Sequence, residues 1–121
     1  VQLISKQAAK NYQTTVQTWQ SVFADPINFL DVFEKGSSYN TSGYKSSKYD
    51  SLLDQSENKF GNQPEKRWNN LVQAEKTLMN DQGTIPLYQV AKSQLLRKNV
   101  KNVVYNPAGV PYDWKTTYIA K

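Results

Sequence analysis

Paired carboxylates, or Ser with Lys, are the groups in this sequence to which catalytic chemistry would fall. Its 121 residues include no His and no Cys. Imidazole bases, thiolate nucleophiles, disulfides and most zinc sites are thereby excluded. Asp25, Asp31 and Glu34 lie close in sequence, and Asp50 and Asp54 sit one helical turn apart. A helix puts Asp31 beside Glu34 and Lys35, which is ordinary surface patterning. Asp50 is already accounted for as part of a helix cap. Nucleophilic catalysis would be left to Ser with Lys, and no phosphate loop, dinucleotide fingerprint or metal loop is present. The sequence does not point to an enzyme, and it implies no cofactor.

Binding chemistry is better represented. Aromatics make up 12% of the chain, with eight Tyr, three Trp and four Phe. Tyr and Trp supply large contact areas with a polar tip. Trp19 and Phe23 flank the end of a predicted strand, where side chains can line a cleft. Asn40, Thr41 and Ser42, between Tyr39 and Tyr44, could bond an extended backbone without reading its side chains. The alternative is a buried core indole at Trp19 and a solvated turn at the Asn-rich loop.

The elements that would position these groups read as follows. Val1 to Ile4 alternates weakly, as a strand does. Ser5 is a candidate cap for helix formers up to Tyr12. Thr14 to Phe23 is β-branched and aromatic and predicts a strand. Asp25-Pro26 predicts a helix start, with Asp accepting from free N–H groups and Pro at the first helical position. Lys35-Gly36 closes this short helix, and a Ser/Asn/Gly/Tyr loop runs from Ser37 to Ser47. Ser47-Lys48-Tyr49-Asp50 fits a capping box, and Tyr49, Leu52, Leu53, Ser56 and Phe60 share one helical face. Gln63-Pro64-Glu65 starts the longest helix, to about Asn80, with Trp68, Leu71, Val72, Glu75, Leu78 and Met79 at three- and four-residue spacing. Gly83 is its stop. Thr84 to Val90 reads as extended, with Pro86 at an edge or strand start. Strands are predicted at Ser93–Arg97 and Val100–Tyr105, a turn at Asn106-Pro107-Ala108-Gly109, and a strand-like or short helical piece at Tyr112–Ala120. The fold class is α+β, a mixture of sheets covered by helices.

A hydrophobic share of 38% is low for a globular chain. The core is therefore thin for the length, or part of the chain rests on a segment outside it. No apolar run approaches the roughly 18 residues of a membrane span. The opening residues lack the pattern of a signal peptide and read like the middle of a protein. Net charge is +5, but the basic residues are dispersed. Only Lys92, Arg97, Lys98 and Lys101 cluster, which disfavours nucleic acid as a partner.

The order of motifs resembles one family, the extracellular oligopeptide-binding proteins of peptide ABC importers. The resemblance rests on Trp19, Asp25-Pro26, Phe29-Leu30, Asn40 to Tyr44, Tyr49-Asp50 with Leu52-Leu53, Arg67 to Glu75, and Ile85-Pro86-Leu87-Tyr88, and it covers the chain from about Thr18. It implies the C-terminal portion of a two-lobed, periplasmic-binding-protein-like fold. Residues 1–84 would belong to the second peptide-binding lobe, and 85–121 would return to complete the first. The implied function is capture of oligopeptides outside the cell for delivery to a membrane ABC permease. Trp19 would pack along the peptide, Gln20 would bond its main chain, Val22 and Phe23 would shape a pocket, and Asn40 and Tyr44 would close one side. A lipid-anchored protein of a Gram-positive surface is implied, or a periplasmic one otherwise, monomeric at full length. Many members carry an Asp three residues after the Trp, which pairs with the ligand's α-amino group. Here that position is Val22, so amine capture there is not expected. The competing expectations are a stand-alone interaction module, and a family member adapted to a signalling peptide or another non-standard ligand.

Overall fold

The computed structural model describes residues 2–121. All its helices lie before Gly83 and its strands after it. Helix α1 spans Gln2–Ala8, where a strand is predicted for the first four residues; Val1 lies outside the described residues. The helix formers Ser5 to Ala8 extend backward and override the weak alternation of Leu3 and Ile4. Ser5 is therefore not a cap. It sits inside the helix, and its hydroxyl donates to the Gln2 carbonyl at 3.1 Å. Lys10 takes a left-handed conformation, φ 53°. Lys10 and Asn11 then donate back to the carbonyls of Gln7 and Lys6, a standard helix ending.

Residues Thr14 to Phe23, predicted as a strand, form no strand ladder. Side chains in and beside this segment tie it to the Asn-rich loop instead. Tyr12 donates to the Thr41 carbonyl at 2.7 Å and Gln17 to the Thr41 hydroxyl at 2.8 Å. β-propensity needs a partner strand to become a strand, and none is present among the described residues.

Helix α2, Ile27–Leu30, continues as a 3₁₀ turn over Asp31–Phe33. Asp25 caps it as predicted, accepting from the Ile27 amide at 3.0 Å. Helix α3 spans Ser47–Asp54 and widens into a π-type turn at Gln55–Lys59. The cap lies one residue before the predicted one: Ser46 accepts from Tyr49 N–H at 3.4 Å. Asp50 is consequently not a capping-box partner. Its carboxylate accepts from the Lys35 amide at 3.1 Å and ties the end of the preceding turn to α3.

Helix α4 spans Pro64–Asn80, as expected from Pro at its first position. Its buried row is Leu71, Ala74, Thr77 and Leu78. Trp68 and Glu75 fall outside that row, and Trp68 is 57% exposed. The helix ends with Gln82 in the left-handed region and amides of Gln82 and Gly83 donating to Met79 and Leu78. A Cβ on Gly83 would stand 2.6 Å from Leu78 Cδ1 and 2.7 Å from Tyr44 Cδ2, so only glycine fits.

One core unites α2, α3 and α4: Ile27, Leu30, Tyr49, Leu53, Leu71, Ala74 and Leu78, with Phe33, Tyr44, Leu52 and Met79 against it. Tyr49 is fully buried, and its hydroxyl donates to the Leu30 carbonyl at 2.7 Å. That bond satisfies both polar groups inside the core. Burial pushes the Tyr49 phenol well above its usual pKa.

After Gly83 the chain is extended to Arg97, including the predicted strand Ser93–Arg97, which has no ladder. Two short antiparallel ribbons follow. β1 (Val100–Lys101) pairs with β4 (Tyr118–Ile119), and β2 (Val104–Tyr105) pairs with β3 (Tyr112–Asp113). Asn102, in the left-handed region, breaks the predicted Val100–Tyr105 strand in two. The mixed helix-and-strand class is the one expected, but the strands form two separate two-stranded ribbons and not one sheet layered under the helices. Ile85, Leu87, Tyr88, Val90 and Leu95 are all exposed. A folded protein of 13.9 kDa exposes about 6,700 Å² on size scaling; this chain exposes 9725 Å². The apolar row after Gly83 is left uncovered among the described residues.

Candidate functional site

An exposed strip runs from Trp19 to Phe23 and approaches the start of α2. Its position is fixed from beneath by Asn28, 5% exposed. The Trp19 indole N–H donates to the Asn28 backbone carbonyl at 2.7 Å, and the Val22 amide donates to Asn28 Oδ1 at 2.8 Å. Trp19 is 37% exposed, so the indole is anchored by its polar tip while part of its ring stays open. Tyr39 meets that ring edge-on, centroids 5.0 Å apart. Val22 is 65% and Phe23 46% exposed, and Gln20 is exposed beside them. Ser21 is buried and donates its hydroxyl to the Phe23 carbonyl.

The base of α2 is braced electrostatically. Asp25 Oδ1 receives Arg67 from α4 at 2.9 Å as well as the Ile27 amide. The Arg67 hydrogen bond holds the Asp25 carboxyl below its usual pKa, against the opposing effect of burial. The turn carrying the strip is thus tied to the longest helix.

The structure brings together Trp19, Gln20, Val22 and Phe23 of the predicted site. Asn40 and Tyr44 are placed differently. The Asn40 amide donates to the carbonyls of Phe33, Glu34 and Tyr44, and its oxygen accepts from Ser42 and Gly43. Every polar atom of the side chain is spent on holding the loop. The Tyr44 hydroxyl donates to Asp81 at 2.7 Å, and its ring packs edge-on against Tyr49. Burial, followed by that Asp81 bond, raises the Tyr44 pKa. Both residues line a separate small hollow with Lys10, Lys35 and Lys45. The loop residue that joins the strip is Tyr39.

Asp31 is raised in pKa by burial, and Glu34 by burial and then by nearby Asp50, Glu57, Asp31 and Asp54. Among the described residues no group of carboxylates is placed to hold a metal ion.

Asn28, Tyr39 and Gly109 are not among the predicted site residues; the sequence marks Tyr39 only as a flank of the Asn-rich loop and Gly109 only as part of a turn. Asn28 carried one usable sign, a polar residue set between Ile27 and Phe29 in an apolar first turn. Gly109 reaches the strip from the far end of the chain: its amide donates to the Ser21 carbonyl at 3.1 Å. Nothing in the local sequence announces that contact.

No protein-family model matches the chain. The dipeptide-binding protein DppE of Bacillus subtilis is 32% identical over 106 residues, which cover 88% of this chain and 19% of DppE. The solved structure of the pheromone receptor PrgZ, described with its mode of peptide binding, matches at TM-score 0.80 and 37% identity, over 98% of this chain and 22% of PrgZ. The substrate-binding domain of an oligopeptide ABC transporter from Bacillus anthracis matches at TM-score 0.82 and 29% identity, over 98% of this chain and 23% of that one. This chain spans about a fifth of the length of the curated relatives it matches. By sequence and by fold, it is homologous to a segment of the peptide-binding proteins of ABC transporters.

Proposed function

We propose that this chain supplies one wall of a peptide-binding cleft in a larger protein that captures oligopeptides outside the membrane and hands them to an ABC permease. The observation that carries this is Trp19: a large side chain pinned at its N–H and still 37% exposed, in line with exposed Gln20, Val22 and Phe23. Aromatic faces and an adjacent polar group suit an extended chain whose main chain supplies most of the bonds. Tyr39 extends the wall, while Asn40 and Tyr44 contribute by shaping the loop that carries it.

Residues 1–84 then lie in the second lobe, and 85–121 cross back to the first. The exposed apolar row after Gly83 supports this division, because it needs a covering body. The same row argues against a stand-alone module. The protein sits at the outer face of the cell, lipid-anchored on a Gram-positive surface, and acts as a monomer with a peptide and the permease as its partners.

Val22 cannot hold an ammonium group. The ligand's amino terminus is therefore bound elsewhere or left unbound. Titrating the full-length protein with matched free and N-acetylated peptides tests this: equal affinity means that the amine is left unbound, and a strong preference for the free amine means that another group captures it. No binding of any peptide would overturn the proposal. A second reading, a receptor for an apolar signalling peptide, is favoured by the match to a pheromone receptor and by Val22 itself.

A further inference from the structure

Asn28 is buried beneath the strip and acts on it at two points three residues apart. Its main-chain carbonyl holds Trp19, and its side-chain oxygen holds the amide of Val22. The strip has no ladder partner among the described residues, so nothing of the kind that fixes register in a sheet is available to it. Asn28 itself stands in the first turn of α2, beside the Asp25 cap and its Arg67 bond. Its position is therefore set by a capped helix start that is tied to α4, as a support for a binding surface requires. The two bonds are also chemically separable. The Trp19 bond goes to backbone and survives any substitution of the side chain, whereas the Val22 bond needs an oxygen at Oδ1.

We propose that Asn28 is a positioning residue for peptide recognition: through Oδ1 it sets the backbone at Val22, and with it the direction in which Val22 and Phe23 face the ligand. This rests on the peptide-binding function proposed above. It implies that the identity of residue 22 matters only while Asn28 holds that residue in place.

The test uses the full-length protein and, as probe, the tightest binder that the wild type selects from a pool of random di- to nonapeptides. Calorimetry reads the Kd and the active fraction separately. Asn28→Leu removes the acceptor and is expected to raise Kd about tenfold, the scale of one lost hydrogen bond, at unchanged stoichiometry. Asn28→Asp keeps an oxygen acceptor near a helix start and is expected to stay within about threefold of wild type. If Asn28→Leu lowers only the active fraction and leaves Kd alone, Asn28 is merely structural and the inference falls. It falls equally if Asn28→Asp binds as weakly as Asn28→Leu. Trp19→Ala and Phe23→Ala separate the two levels: if both bind like wild type, or if the pool yields no binder, the peptide-binding wall itself is refuted.

Discussion

The Gly109 amide donates to the Ser21 carbonyl at 3.1 Å, and a Cβ on Gly109 would stand 2.7 Å from the Val22 carbonyl oxygen. The turn between β2 and β3 thus rests directly on the back of the strip. Gly109 has φ 74°, a conformation that costs an L-residue roughly 1–2 kcal/mol. The atom it would strike is backbone, which cannot rotate aside. Gly109→Ala is expected to detach this turn. Hydrogen exchange checks it: the amide at position 109 should lose protection by about tenfold or more, while α4 amides stay unchanged.

The core makes a second prediction. Tyr49→Phe keeps the ring and removes the donor to the buried Leu30 carbonyl. An acceptor left unsatisfied in a core costs about 1–3 kcal/mol. Urea unfolding should show that loss as a lower midpoint with an unchanged slope. A neutral result would mean that water reaches the Leu30 carbonyl.

Acidic pH separates two sets of carboxylates. The Asp25 pKa is lowered in the folded state by Arg67. Its stabilisation is present above the unfolded carboxylate range and is lost as pH falls through the lower folded value. Asp25→Asn should remove that part of the acid sensitivity and weaken the cap, with the Arg67 pair itself contributing no more than about 1 kcal/mol. Glu34 has the opposite sign. Burial and its acidic neighbours raise its pKa, so the folded state favours the protonated form and Glu34 opposes folding once pH rises above the unfolded range. Glu34→Gln should therefore stabilise the protein at neutral pH and give no gain at about pH 3. Unfolding of both variants across pH 3 to 7 distinguishes the two behaviours.

These contrasts also explain what was legible in the sequence. Asp25-Pro26, Pro64 and Gly83 act within a few residues of themselves, through caps, a fixed φ and a lack of room, and each marks the boundary expected of it. Of the face Tyr49, Leu52, Leu53, Ser56 and Phe60 that followed from helical spacing, Tyr49, Leu53 and Ser56 are buried and Leu52 and Phe60 half-buried. Thr14–Phe23 and Ser93–Arg97 were predicted as strands because their residues favour pleated surfaces, yet a strand also needs a neighbour, which no local pattern supplies. The site divides in the same way. Trp19 and its neighbours could be picked out as aromatic contact surface. Asn40 looked like a ligand-bonding amide, since type alone cannot show that five bonds within its own loop consume it. Asn28 and Gly109 act through contacts that exist only once the chain is folded.

Position 22 offers the sharpest functional prediction. The Val22 side chain is 65% exposed while its amide is held by Asn28. A substitution there changes what faces the ligand and leaves the backbone anchored, so Val22→Asp should alter stability by no more than about 0.5 kcal/mol. The new carboxylate would stand on the open strip beside Phe23. It is expected to favour peptides with a free α-amino group over their N-acetylated forms by about tenfold at neutral pH, the scale of a partly exposed charge-assisted bond. The preference should shrink as salt rises, because the pair is open to solvent, and should vanish as pH falls below the carboxylate range. Paired titrations of the full-length variant at two salt concentrations measure it. If Val22→Asp shows no preference for the free amine while Trp19→Ala still weakens binding, the ligand's amino terminus lies away from residue 22, and the strip grips the middle of the peptide.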